Sequence, residues 1–335
     1  MAKRKTDEYI FADAFIGCFS RNLMTRKDLS RVIASRDLDA ADVILKEYGY
    51  GDSQDLKNGD VEAFIRREQN NLFDLIYNTL PERKELAFML FPFDYHNIKV
   101  CLKAEILGVT PDDNYLISSG DTDMMKTVVM VKERNYDFMP PLMKDAIKEA
   151  TDLYGRSGDP QDIDIVLDKA CYRQMLEAAE ETDEEFLVTM VKTKIDTLNL
   201  KAFARLKRLK KPWAFLQRVF IDGGFIPWNL FMTGYEESLT QLADKFAPYG
   251  YGDVMAEGGK LLSETGQFWL FEKLCDDRLM AENRKAKYEL FGINPIAGYW
   301  YGKELEIDNL RLILTGKLLD APAEAIEERV REPYV

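Results

Sequence analysis

Asp196 and Glu306 are the two carboxylates of this 335-residue chain that could be posed as a general acid and general base. Each opens the same short pattern: an acid, two spacers, Asn, Ile or Leu, then Lys or Arg. It reads DTLNLK at Asp196–Lys201 and EIDNLR at Glu306–Arg311, and a third copy reads DYHNIK at Asp94–Lys99. The copies start 102 and 110 residues apart. As matched members of a repeat, the carboxylates are expected in equivalent places of different subdomains, which argues against a catalytic pair. His96 is the only histidine, so a zinc site or a Ser-His-Asp triad would have to use it. No second His and no Cys pair accompanies it, and it reads as a partly exposed residue beside Asp94–Asn97.

Other chemical motifs are missing. No GxxxxGK[ST] offers a phosphate cradle. Asp112-Asp113 and Asp276-Asp277 lack the third Asp of a DDxxD motif for diphosphate chemistry. Cys18, Cys101, Cys171 and Cys275 are far apart and form no CxxC. They read as four buried or semi-buried free thiols of a reducing compartment. No catalytic residue, cofactor or metal is expected. The strongest basic cluster is RLKRLKKP, with Arg205, Lys207, Arg208, Lys210 and Lys211. One reading is a solvated helix C-terminus, where cations complement the dipole. The other is a contact with an acidic partner surface. No aromatic platform interleaves the cluster, which disfavours single-stranded nucleic acid.

The elements that must position these residues are helical. Leu187, Val191, Ile195, Leu198, Ala202, Leu206 and Leu209 form an apolar stripe at the α-helical period. Asp196 and Asn199 interrupt it, although Asp and Asn are poor interior helix formers. Further helices are expected over Tyr9–Asn22, from a Thr25 cap with Asp28 at N3, from Ser35 to Gly49, and from Asp60 to Tyr77. One from Pro81 to Gly108 should kink or split at Pro92. Others are expected over Asp121–Asn135, Pro141–Gly155, Asp159–Glu181, from Thr182 or Asp183 to about Lys210, and over Tyr235–Phe246, Lys260–Lys287, Pro295–Gly316 and Ala323–Arg331. No alternating β pattern is present, so the fold class is all-α. Turn-rich stretches at Gly108–Tyr115 and Asp222–Pro227 suggest boundaries.

The interval of the repeat is too long for a solenoid. It suits three similar helical subdomains about a pseudo-threefold axis, over residues 1–110, 111–224 and 225–335. Acid and Asn lie one helical turn apart and share a face. The favoured reading of Asp94, Asn97 and Lys99, of Asp196, Asn199 and Lys201, and of Glu306, Asn309 and Arg311 is structural: a polar pair that satisfies backbone groups of a neighbouring helix end. The alternative is three sets that face a partner. The aromatics of Phe88–Tyr95 and Phe268–Leu274 read as core, or as an apolar docking patch.

Composition bounds the rest. A net charge of −13 and 46% apolar residues describe an ordinary globular core under an acidic surface. Duplex nucleic acid and bare anionic membrane are poor partners for it. The start MAKRKTDEYI lacks the apolar region of a signal peptide. The longest apolar run, LAFMLFPF, is far short of a bilayer span.

Four stretches together carry a family resemblance: KTKIDTLNLKAFARLK (Lys192–Lys207), YGKELEIDNLRLILTGKLLDAPAEAIEERVREPYV (Tyr301–Val335), RNLMTRKDLSRVIASRDLDAADVILKEYGYG (Arg21–Gly51) and IDGGFIP (Ile221–Pro227). The chain resembles the C subunit of the bacterial and archaeal V/A-type rotary ATPases, related to the d subunit of the eukaryotic vacuolar enzyme. The likeness runs over essentially the whole chain. It implies a funnel-like, all-helical protein of three similar subdomains that belongs to the rotor. It implies two partners, the membrane-embedded proteolipid ring and the central shaft, between which the protein passes torque. It implies a peripheral protein of the cytoplasmic membrane face, present singly in its complex, with no nucleotide or ion site of its own. The remaining alternative is a soluble helical scaffold that binds proteins outside an ATPase.

Overall fold

A computed structural model of the chain describes residues 2–51, 54–118, 120–289 and 291–335. No strand occurs among them, and the all-α expectation holds. In chain order the α-helices are α1 Ala2–Ser20, α2 Arg26–Ala34, α3 Leu38–Lys46, α4 Gln54–Lys57, α5 Val61–Thr79, α6 Phe91–Leu107, α7 Met124–Glu133, α8 Pro141–Ser157, α9 Gln161–Glu181, α10 Glu185–Arg208, α11 Trp213–Val219, α12 Trp228–Thr233, α13 Ala243–Phe246, α14 Gly259–Thr265, α15 Trp269–Asn283, α16 Ile293–Leu318 and α17 Ala323–Arg329.

The chain divides into two compact units, one of residues 1–82 with 236–335 and the other of residues 83–235. In the first, α16 packs against α1, α2, α3, α5, α15 and α17. It is buried on most sides: Trp300, Ile307, Leu310, Ile313 and Leu314 are all core. In the second, α9 is central and meets α6, α8, α10 and α11. Burying each such large apolar side chain stabilises by about 1.5–3 kcal/mol.

Several helix limits follow the expected signals. Thr25 and Asp28 form a reciprocal capping box at the start of α2, and Asp60 caps α5 by accepting from the Ala63 N–H. Pro92 splits its segment as anticipated. A 3₁₀ stretch, Arg83–Leu90, ends where α6 begins, and the proline falls in the first turn of α6, where its missing N–H costs nothing.

Other limits differ, for local reasons. Ser35 closes α2 by donating to the Val32 carbonyl, and Asp37 caps α3 instead. Thr182 likewise closes α9, bonded to the Ala179 carbonyl, while Asp183 turns the chain at φ 60° and α10 starts after Glu184. Pro160 precedes α9 rather than opening it. Tyr235–Phe246 holds only a 3₁₀ turn and the short α13. Lys260–Lys287 is broken at Gly266, whose φ of 74° ends α14. The α10 stripe is also wider than its period suggested. Leu200, Phe203 and Ala204 are fully buried, whereas Leu209 is 65% exposed.

Candidate functional site

The three pattern copies make the same local structure. On α10, Asn199 is buried and donates from Nδ2 to the Ile221 carbonyl at 2.8 Å. Its Oδ1 accepts from the N–H of the same residue at 2.9 Å. On α6, Asn97 holds Ile117 in the same way, both bonds being 2.8 Å. On α16, Asn309 holds Arg331, with bonds of 3.1 and 2.9 Å. A primary amide presents a donor and an acceptor side by side, so it pairs with both polar groups of one residue's main chain. Neither Asp nor an aliphatic residue can do so.

In copies one and two the acid holds the same returning segment a few residues further on, and in copy three it holds a segment from near the start of the chain. Asp94 accepts from the Thr122 N–H at 3.0 Å. Asp196 accepts from Phe225 and Ile226 at 3.1 and 3.0 Å. Glu306 accepts from Met24 at 2.6 Å. Each of Thr122, Ile226 and Met24 immediately precedes the N-cap of a helix, namely α7, α12 and α2. The third copy is thus closed by a segment from the opposite end of the chain. Glu306 also accepts from Tyr50 Oη at 2.7 Å and Lys303 Nζ at 2.6 Å.

The link between helix and clamp repeats as well. Each motif helix ends in a Schellman turn. The N–H groups of Val109, Lys211 and Ala321 bond to the carbonyls of Ala104, Leu206 and Gly316. Gly108, Lys210 and Asp320 take positive φ at the same step. A proline follows: Pro111, Pro212, Pro322. Copies two and three then carry the seven-residue helices α11 and α17, and a buried residue, Phe220 or Val330, precedes the clamped one. Copy one has only the 3₁₀ turn Asp113–Tyr115 before buried Leu116. Asn97 therefore reaches 20 residues ahead, and Asn199 and Asn309 reach 22.

Gly224 shows how closely the second clamp fits. A Cβ there would fall on Oδ1 of Asp196 and lie 3.0 Å from its Cγ, and Gly120 stands in the same relation to Asp94. Gly224→Ala is expected to cost about 1–3 kcal/mol, because the carboxylate must leave its two N–H donors. An unchanged melting temperature for that variant would show that the fit is loose.

Burial pushes the Asp94 carboxyl up to about 7, and its bond from Thr122 N–H only partly offsets this. The native state thus keeps a proton that the unfolded chain releases near pH 4. Stability from this group is full below the unfolded pKa and falls as pH rises through about 7. Asp13, pushed up to about 6 by burial, adds to the same trend. Asp94→Asn mimics the protonated form, so its denaturation midpoint should fall less steeply than wild type from about pH 4 to about pH 7. Parallel profiles would sink this assignment.

The basic residues of the motif do not share one role. Lys99 pairs with Asp168 at 2.6 Å, Arg311 with Asp308 and Glu62 at 3.1 and 3.3 Å, and Lys201 is half-buried on α10. The cluster at the end of α10 is also mixed. Lys207 points inward, donates to the Tyr235 carbonyl and sits 5.2 Å from the ring centres of Phe203 and Tyr235. Arg205, Arg208, Lys210 and Lys211 are exposed.

The residues first posed for chemistry are bound up internally. Asp196 lies in the unit of residues 83–235 and Glu306 in the other, each with the partners just given. Asp276 pairs with Arg331 at 3.2 Å, and Asp277 accepts from the Glu332 N–H at 2.7 Å. His96 Nε2 lies 2.8 Å from the Tyr115 carbonyl. Cys101, Cys171 and Cys275 are buried, with burial pushing the Cys101 thiol to about 11, but Cys18 is exposed, against expectation. Among the described residues, no group of three His, Cys, Asp or Glu is placed to hold a metal ion.

The sequence reading missed the clamped partners, because a main-chain partner leaves no residue-type signature. The Leu ten positions after each Asn was also missed. Leu107, Leu209 and Leu319 are 74%, 65% and 73% exposed.

The chain matches the family model described as ATP synthase (C/AC39) subunit over residues 12–329. It is similar to the C subunit of the V-type sodium ATPase of Enterococcus hirae, at 24% identity over 318 residues covering 93% of this chain and 94% of that protein. The C subunit of the A-type ATP synthase of Methanocaldococcus jannaschii is 24% identical over 348 residues, covering 95% and 85%. That of Methanobrevibacter smithii is 24% identical over 341 residues, covering 92% and 84%.

Proposed function

The chain belongs to the ATP synthase (C/AC39) subunit family, and from that premise we propose that it is the central-stalk rotor subunit of a V/A-type ATPase, coupling the shaft to the membrane proteolipid ring. The family is that of a structural, non-catalytic subunit. The single observation that carries the reading is the match over nearly the full length of both this chain and its relatives. A torque adaptor needs stiffness, and tightly packed helices supply it; α10 alone is about 36 Å long. No helix among the described residues is long and apolar enough to cross a membrane. The protein meets the membrane through other subunits, on the cytoplasmic face, as one copy per complex.

The three-subdomain reading, with limits near residues 110 and 224, belongs to the same proposal. Three Asn clamps with matching Schellman turns support it. Asn199 and Asn309 then close their own subdomains, Asn97 and the three acids tie one subdomain to another, and contact with the shaft or ring falls to the surface, including the exposed cations at the end of α10.

Co-purification tests the assignment. From gently solubilised membranes of the source cells, the native protein should elute with proteolipid and shaft subunits. Elution with neither would overturn the rotor reading.

A further inference from the structure

The three copies act as controls for one another. Their helix exits share one backbone path, so a side chain required by that path should recur. Leu107, Leu209 and Leu319 recur. The residues around them do not. One position before the Leu stand Ile106, Arg208 and Leu318; after it come Gly108-Val109, Lys210-Lys211 and Asp320-Ala321. Trp213 opens α11 where Ala323 opens α17. The fold therefore does without cations and a Trp at these places.

Lys210 goes further, since it holds a left-handed φ of 52° that glycine adopts more readily and that Gly108 occupies in the first copy. Asp320 takes the same φ of 52° in the third copy, so the turn accepts a side chain here but does not call for a lysine.

Charge points the same way. No acid occurs between Asp196 and Asp222, while seven Lys or Arg do, in a chain of net charge −13. From Arg208 to Ala214 every residue is exposed, with Leu209 at 65% and Trp213 at 47%. The Schellman turn, Pro212 and the inward anchor of Lys207 fix this segment in place, so binding through it orders little. Arg and Trp are the residue types that dominate rigid protein interfaces. Two exposed apolar side chains are too few to insert into a bilayer, and the acidic remainder of the surface opposes an anionic one.

We propose that Arg208–Trp213 is a docking site for an acidic segment of another protein in the complex, with Arg208, Lys210 and Lys211 meeting carboxylates and Leu209 and Trp213 seated on apolar residues between them. This rests on the reading of the chain as part of a larger assembly and names the chemistry of one partner.

The test uses the full chain in the assembled complex. A photo-reactive residue substituted for Trp213 should cross-link to a segment of another protein of the complex that is rich in Asp and Glu. Cross-linking only to lipid, to this chain, or to a neutral or basic segment overturns the proposal. Arg208→Leu with Lys210→Asp brings in the third copy's residue types, and Lys210→Gly brings in the first copy's. Both variants should melt no lower than wild type. The double variant should bind the complex depleted of this protein about tenfold more weakly, with reduced sensitivity to salt. Equal binding by wild type and the double variant overturns the proposal. Sedimentation with phosphatidylglycerol-containing vesicles should be negligible for both; salt-sensitive binding by wild type alone would overturn it in favour of a membrane. If the protein elutes with no ATPase component but cross-links to an acidic segment of a different protein, the rotor reading fails and this site stands.

Discussion

Asn199→Ala is expected to destabilise the protein by about 2–5 kcal/mol, seen as a lower denaturant midpoint. The side chain is buried and satisfies both polar groups of Ile221, which is itself 7% exposed. Truncation leaves a buried N–H and a buried C=O without partners, at about 1–3 kcal/mol each. Two further variants separate this account from loss of volume. Asn199→Leu refills the space but cannot pair, so it should be nearly as damaging as Ala. Asn199→Asp keeps an acceptor for the Ile221 N–H but sets a carboxylate oxygen against the Ile221 carbonyl. A Leu variant as stable as wild type would refute the clamp as an energetic feature. Asn97→Ala should cost less, because the clamp on Ile117 is only partly buried and bridges the shorter link.

The Asn variants also bear on what was legible in the sequence. The pattern itself was readable, because acid and Asn at i and i+3 must share a helix face. What they hold was not. Ile117, Ile221 and Arg331 offer main-chain groups, and those groups look alike in every residue. Copy one further hides its equivalence by replacing a seven-residue helix with a 3₁₀ turn. Periodicity found α10 but misjudged its faces. A helix buried on most sides has no single stripe, so Leu209 seemed equivalent to Leu187, although one is 65% and the other 0% exposed. Caps were ambiguous wherever two candidates adjoined. Ser35 and Thr182 belong to the helix before, and only their bonds to Val32 and Ala179 reveal it. The closure of copy three was the least legible feature. Nothing local to Glu306 announces that its partner is Met24, 282 residues away.

That long separation makes Glu306→Ala the other variant with a large expected effect, about 3–5 kcal/mol. Glu306 is 3% exposed and bonds to Met24 N–H, Tyr50 Oη and Lys303 Nζ. Lys303 Nζ also donates to Tyr50 Oη at 2.8 Å and lies 4.0 Å from the centre of that ring. Removing the carboxylate strands a largely buried ammonium, which is the costly way to break an ion pair. Lys303→Met in the Glu306→Ala background should therefore recover part of the loss, and a double-mutant cycle would measure the coupling. No recovery would mean that Met24 and Tyr50, rather than the charge, dominate. A second contribution is entropic. Asp196 holds a segment about 30 residues further along the chain, whereas Glu306 holds one 282 residues away. By the logarithmic cost of loop closure, that difference is worth about 2 kcal/mol. Arg26 ties the same segment to Glu327 and the Val330 carbonyl, so α2 should loosen rather than detach. Hydrogen exchange can see this directly: amides of Met24–Ala34 should lose protection in Glu306→Ala far more than those of α12 do in Asp196→Ala. Equal losses would mean that chain connectivity has no bearing on how firmly each copy is closed.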